Sequence, residues 1–334
     1  MFDNISIWTA VFFVVVGLAV LAWSSDKFVL GAAALAKWLG VTPFVVGMVI
    51  VGFGTSAPEL LVSTFSGLSG HTDLSLGNAY GSCVFNVAAI LGIAALINPL
   101  EVKKSILTIA SPLLLAIVAI AFFLLKDGVL SRIDSLILLA IFALVMPLYC
   151  KFDKPESDSE CDENKSEKRL SLGRAIFWTL FSLAAMVVSS QILVSGSVKI
   201  ASFFFSGKNG DLIIGLTVVA IGTSLPELAS AIAASRRNQS ELVLGNIVGS
   251  NIFNMLAVIG IAGAISPTAS YSRFVLLRDL PALAIVTALI PFLALAGKKK
   301  ENSSSRIIGK SGGAIFIMSF AIYLVLMLIQ EVSK

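Results

Sequence analysis

The sequence predicts an all-α polytopic membrane protein whose ten transmembrane helices form two inverted five-helix repeats. Three observations carry that expectation. Mean hydropathy is +0.95, and 57% of the 334 residues are hydrophobic against 13% charged, more apolar material than one soluble core of this length uses. Crossing about 30 Å of hydrocarbon as helix takes about 20 residues, and apolar stretches of that length occur ten times. The segment Gly54-Thr55-Ser56-Ala57-Pro58-Glu59-Leu60 returns as Gly222-Thr223-Ser224-Leu225-Pro226-Glu227-Leu228, 168 residues on.

In order, the predicted spans cover 6–30, 42–66, 73–97, 105–125 and 130–149, then 172–201, 211–235, 241–265, 273–297 and 307–330. These runs are too long and too continuously apolar for the alternating strands of an outer-membrane barrel, which leaves helices. The amino terminus has Asp3 and no basic n-region, so the first span reads as a permanent helix and not as a signal peptide. The repeat continues without a gap: Gly77-Asn78 matches Gly245-Asn246, Gly81-Ser82 matches Gly249-Ser250, Phe85-Asn86 matches Phe253-Asn254, and Pro99 matches Pro267. Each half holds an odd number of spans, so the second enters the membrane with opposite polarity, the arrangement that puts a transporter's site at the repeat interface near the midplane.

The chain therefore divides into a first repeat at 1–149, a linker at 150–171 and a second repeat at 172–334. The linker gathers seven acidic side chains, but it lacks the glycine and ligand spacing of a calcium-binding EF-hand loop and reads as a solvated tether. Of the 24 Lys and Arg residues, 17 fall in the loops that follow odd-numbered spans. The positive-inside rule then puts those loops and the linker in the cytoplasm and both termini outside.

Several chemistries are excluded. Cys83, Cys150 and Cys161 have no paired spacing, and His71 is the single histidine, so neither a disulfide framework nor a histidine or thiolate metal centre is indicated. The formal charge of +4 sits in membrane-flanking loops, which argues against nucleic acid as a partner. No phosphate-binding loop or other cofactor motif occurs, and no obligatory protein partner is evident. The expected partners are the lipid bilayer and ions.

A carboxylate at the bilayer centre costs roughly 3 kcal/mol on insertion scales, and a proline inside a helix about 3 kcal/mol more. The repeated motif carries both costs twice. Proline withholds an amide donor and frees a carbonyl in the turn before it, so backbone oxygens near Thr55 and Thr223, hydroxyls of Ser56 and Ser224 and the acids Glu59 and Glu227 form a hard-oxygen donor set. Calcium takes six to eight such oxygens, whereas transition metals favour nitrogen or sulfur. The second motif, Gly-Asn-x-x-Gly-Ser-x-x-Phe-Asn, has no acid; Ser82 and Asn86 lie four apart on one helical face, as do Ser250 and Asn254, with Asn251 beside them. Such neutral oxygens suit a monovalent ion. The same small polar residues also serve close helix packing, a reading that fits the two acids poorly because no Lys or Arg accompanies them before Arg236.

At these residues the chain resembles the calcium/cation antiporter superfamily, and within it the prokaryotic sodium/calcium exchangers, over essentially its whole length. The resemblance implies a prokaryotic plasma (inner) membrane protein that is not an enzyme. It implies calcium held by Glu59 and Glu227 with the backbone at Thr55 and Thr223, and sodium sites using Ser56, Ser82, Asn86, Ser224, Ser250 and Asn254. It also implies that spans one and six slide past the remaining bundle, with Gly17, Gly31 and Gly196 on the moving helices. Two departures stand out: Cys83 occupies a site position where relatives often have a hydroxyl, so that a soft thiol replaces a hard oxygen and weakens or abolishes one sodium contact, and Asn86 and Asn254 are both amides where some members carry an aspartate. The function implied is exchange of cytoplasmic calcium for external sodium. A proton/calcium exchanger remains open, since two membrane glutamates also carry protons; a cation channel and an intramembrane enzyme are more remote alternatives.

Overall fold

The computed structural model describes residues 6–68, 72–152, 170–204, 220–268, 271–300 and 304–332. Asp3, His71, Cys161, most of the 150–171 linker and the first part of the expected span 211–235 lie outside the described residues.

Helix α1 (Ile7–Leu39) begins on Ser6, whose side chain accepts from the Thr9 amide, and ends on Gly40 at φ 64°, a left-handed cap that glycine adopts without steric cost. It runs nine residues past the expected end at 30, carrying Asp26, Lys27 and Lys37 inside the helix. At 1.5 Å per residue its 33 residues span about 50 Å, more than the hydrocarbon thickness. Helix α2 (Pro43–Thr55) and helix α3 (Ala57–Leu68) are separated by a bend of 41° at Ser56, which leaves helical geometry at φ −81°, ψ 6°. The cause is local, because Pro58 has no amide with which to close the turn. Helix α4 runs as Thr72–Val84, a π-helical turn at Phe85–Ile90, and Leu91–Ile97. Helix α5 (Ile106–Leu125) opens on another π turn, and α6 (Arg132–Phe152) completes the first half.

The described second half repeats this order. Helix α7 (Leu172–Phe204) corresponds to α1. Helices α8 (Ala220–Thr223) and α9 (Leu225–Arg236) are divided at Ser224, where φ is −90° and ψ 12°. Helix α10 (Ser240–Ile265) holds a π turn at Phe253–Val258, and α11 (Val275–Ala296) begins on one, before the closing α12 (Lys310–Val332). Eight helices among the described residues are long and apolar enough to cross a membrane, and the bent α2–α3 pair makes a ninth.

The centre of the bundle is α10, whose span is buried throughout, while α1 and α6 expose most of theirs. Their outward residues, among them Trp8, Phe12, Ile133 and Leu144, face where lipid lies. Backbone meets backbone between α2 and α10: a Cβ on Gly52 would stand 2.8 Å from the Ser250 amide, and one on Gly249 would collide with the Met48 carbonyl. Small residues permit that approach. Between α1 and α7, a Cβ on Gly31 would stand 2.8 Å from the Thr179 amide and one on Gly196 2.7 Å from the Ala10 carbonyl.

Two features lie beyond the all-helical expectation. Strand β1 (Leu100–Val102), in the α4–α5 connection, pairs antiparallel with β2 (Arg306–Ile308), in the α11–α12 connection. Leu130, between α5 and α6, bridges Thr268, between α10 and α11. These are the same two kinds of connection with the halves exchanged.

Candidate cation-binding site

Glu59 and Glu227 sit one turn beyond the two helix breaks, in the first turns of α3 and α9, and are 0% and 1% exposed. Each is met by the serine of the other half. Ser224 Oγ donates to Glu59 Oε1 at 2.8 Å, and Ser56 Oγ donates to Glu227 Oε1 at 3.1 Å. The backbones behind the acids are held the same way: Asn78 Nδ2 donates to the Glu59 carbonyl and Asn246 Nδ2 to the Glu227 carbonyl, both at 3.4 Å. A break that turns its serine outward and an acid three residues later are thus repeated across a two-fold arrangement.

Ser82, Thr223, Thr55 and Ser250 gather around this pair. Ser82 Oγ lies 3.1 Å from Ser224 Oγ and 3.5 Å from Glu59 Oε1. Thr223 lies against Glu59, and Thr55 and Ser250 against Glu227. The Thr55 hydroxyl reaches the Val51 carbonyl at 3.0 Å and Asn246 Oδ1 at 3.2 Å, while Ser250 Oγ is 3.4 Å from the Gly52 carbonyl. Asn86 and Asn254 each occupy the second position of a π turn, and both are fully buried. Cys83 and Asn251, also buried, direct their polar atoms to each other: Cys83 Sγ donates to the Asn251 carbonyl at 3.8 Å, and Asn251 Nδ2 donates to the Cys83 carbonyl at 3.3 Å.

What the cluster lacks is as informative as what it contains. Among the described residues, Glu59 Oε2, Glu227 Oε2, Asn86 Oδ1 and both amide atoms of Asn254 are buried with no partner at ordinary hydrogen-bond distance. A buried unpaired acceptor costs about 1–3 kcal/mol, more when charged. The ion pairs described elsewhere, Lys103–Glu241, Arg237–Asp26, Arg278–Asp279 and Lys300–Glu101, include neither acid. Hard-oxygen acceptors that no ion pair described here includes form a set that a hard cation satisfies. Asn78 and Asn246, which the second motif offers as neutral oxygens, instead turn their amide nitrogens to the acids' backbones.

The fold and its buried polar centre define a polytopic helical membrane protein with a carboxylate-bearing intramembrane site. The chain belongs to the sodium/calcium exchanger protein family, a family of cation antiporters whose profile matches residues 9–149 and 174–329. It is 36% identical over 318 residues to the putative antiporter CaxA of Alkalimonas amylolytica, covering 94% of this chain and 97% of that one. It is 29% identical to the sodium/calcium exchanger MaX1 of Methanosarcina acetivorans, over 93% of this chain and 96% of that one. The solved structure of the sodium-calcium exchanger NCX_Mj soaked with Na+ and Sr2+ superposes with a TM-score of 0.81 at 29% identity, covering 96% of this chain and 99% of that chain.

Proposed function

We propose that this antiporter moves calcium out of the cytoplasm in exchange for external sodium by alternating access, with both ions using the centre built on Glu59 and Glu227. One observation carries the reading: two carboxylates, one from each half, are held by each other's serine while their second oxygens are buried and unpartnered. Calcium satisfies both carboxylates at once. Monovalent ions satisfy them separately with help from neutral oxygens, and the ligands proposed are Thr55, Thr223, Ser56, Ser224, Ser82, Ser250, Asn86 and Asn254. Leaving the pair ionised and empty in a low-dielectric interior costs several kcal/mol per ion, so one cation leaves as another arrives.

The reading includes ten spans in two inverted halves, 1–149 and 172–334, joined by a cytoplasmic linker at 150–171, with both termini outside. The connections support the inversion. Residues 98–105 and 126–131 lie at opposite ends of α5. The second-half counterpart of the former, around Thr268, bonds to Leu130 of the latter, while β2 bonds to β1. Equivalent connections therefore emerge at opposite ends, and the basic residues Lys103, Lys104 and Lys298 to Lys300 gather at one of them.

Calcium uptake into vesicles holding purified protein, driven by an imposed sodium gradient and separately by an imposed pH gradient, tests the counter-ion. The sodium gradient is expected to drive uptake at constant pH. Uptake that follows only the pH gradient overturns the sodium reading in favour of protons.

A further inference from the structure

We infer that Asn251 is a positioning residue for the ion site, one that fixes which atom of Asn86 faces the ion. The inference rests on the proposed exchange function and adds to it a specific orienting device.

The geometry leaves little choice. A backbone carbonyl only accepts, so the atom of Asn251 that lies 3.3 Å from the Cys83 carbonyl is its Nδ2. That leaves Asn251 Oδ1 on the side toward Asn86, and it accepts from Asn86 Nδ2 at 3.2 Å. With its amide nitrogen engaged, Asn86 turns its Oδ1 away from Asn251, and this oxygen is buried with no partner. A chain of two hydrogen bonds, beginning at a group that cannot reverse its role, thus presents an oxygen and not an NH2 group. An NH2 group in that place would repel a cation.

The other half has a thiol where this device has an amide. Position 83 is the repeat equivalent of 251, and its thiol is spent on the Asn251 carbonyl. Asn254, the equivalent of Asn86, lies against the Cys83 side chain, but neither of its amide atoms reaches a partner at ordinary hydrogen-bond distance among the described residues. The two-fold site therefore contains one amide held by another amide and one that meets only a thiol, a weak donor and weak acceptor, and the asymmetry traces to Cys83 standing opposite Asn251.

The test uses purified full-length protein and sodium displacement of bound calcium at equilibrium, with calcium affinity measured separately in sodium-free buffer. Asn251→Leu is expected to raise the sodium needed for half-displacement about tenfold, the low end of what loss of an orienting partner costs, and to change calcium affinity less than about twofold. Asn86→Ala is expected to do the same, and the double variant is expected to be no worse than Asn86→Ala alone, because Asn251 acts only through Asn86. Effects of the two substitutions that multiply, or an unchanged sodium requirement in Asn251→Leu, overturn the inference. If Asn251→Leu also loses calcium binding, the exchanged pair Cys83→Asn/Asn251→Cys decides. By the two-fold, Asn at 83 orients Asn254, so sodium competition within about threefold of wild type upholds the inference and a larger loss overturns it. Failure of the functional reading looks different: wild-type protein would then release calcium to protons but not to sodium.

Discussion

At the scale of single residues, the proposed site depends on two acids, Glu59 and Glu227, that no other acid among the described residues joins in a group of three. Neutralising either one leaves a single carboxylate to hold a divalent ion, and a glutamine adds an NH2 group where an acceptor is needed. Glu59→Gln and Glu227→Gln are each expected to lower calcium uptake by about 100-fold or more, equivalent to about 2.7 kcal/mol of lost stabilisation. Calcium flux in vesicles with matched protein levels checks it, and near-normal uptake in either variant removes the central pair from the mechanism. This part of the protein was legible in the sequence because its chemistry is compact: glycine, serine, proline and glutamate within six residues, twice, in apolar surroundings. The engagement of Asn251 and Cys83 with each other was not legible. Spacing puts a side chain on a face, but only the helix-to-helix geometry decides whether it meets an ion or a neighbouring carbonyl.

At the scale of elements, the bend at each motif followed from proline, whereas the π turns at Phe85–Ile90 and Phe253–Val258 did not. A shifted hydrogen-bond register leaves no composition mark, although such turns frequently fall at functional sites. Helix α1 runs beyond the expected end at 30 because hydropathy marks the length that crosses hydrocarbon, about 20 residues, and not where the helix stops, which here is the Gly40 cap. In the fold Asp26 meets Arg237 of the second half at 2.7 Å, and Lys27 lies 5.5 Å from the centre of the Trp178 ring, so the helix continues with its charges accommodated. The α2–α10 contact makes a direct prediction. Gly249→Ala drives a methyl into the Met48 backbone carbonyl, which cannot swing aside as a side chain would, and is expected to cost about 1–3 kcal/mol. Gly309→Ala, with open space around the added carbon, is expected to be close to neutral. Thermal unfolding of the two variants in the same detergent separates them.

The three-residue strands were too short to announce themselves, but β1 carries a titratable clip. Glu101 meets Lys300 at 2.7 Å. Burial alone would raise its carboxyl, yet hydrogen bonds from Lys300 and Ser305 and the charges of Lys300 and Lys103 outweigh that and hold it below the ordinary carboxylate range. A group depressed in the folded state stabilises above its unfolded value and loses that contribution as pH falls through its folded value. The β1–β2 pairing is therefore expected to be intact at neutral pH and to loosen below about pH 4, the ordinary carboxylate value. Amide exchange at Arg306 and Ile308, corrected for intrinsic rates, checks it, because these residues form the bonded pairs with Val102 and Leu100 while the Ile307 amide donates to the Lys298 carbonyl. Glu101→Gln is expected to abolish the pH dependence, and an unchanged profile in that variant assigns the effect to another group.

For the whole molecule, the question is what couples the α1–α7 pair to the bundle that carries the acids. The pair presses on both breaks: Leu183 abuts Gly54, and Val194 abuts Gly222, so closely that neither glycine leaves room for a Cβ. Under the proposed function, sliding of such a pair would uncover one break while covering the other and so open the buried centre to alternate sides. Against these apolar contacts stands a charged one, the bidentate pairing of Arg237 Nε and Nη2 with Asp26 at 3.2 and 2.7 Å. It joins α1 to the end of α9, and about half of the Asp26 side chain is exposed. Exposed pairs contribute about 0.2–1 kcal/mol, so removing this one is expected to shift the balance between the two access states by up to about fivefold and not to abolish transport. Asp26→Asn and Arg237→Gln should each change the ratio of half-saturating calcium concentrations measured from the two faces of oriented vesicles, in the same direction. The charge-exchanged Asp26→Arg/Arg237→Asp protein should return the ratio toward wild type. Equal ratios in all of these proteins would mean that the pair is kept, or broken, in both states alike, and that the apolar contacts of Leu183 and Val194 alone set the balance.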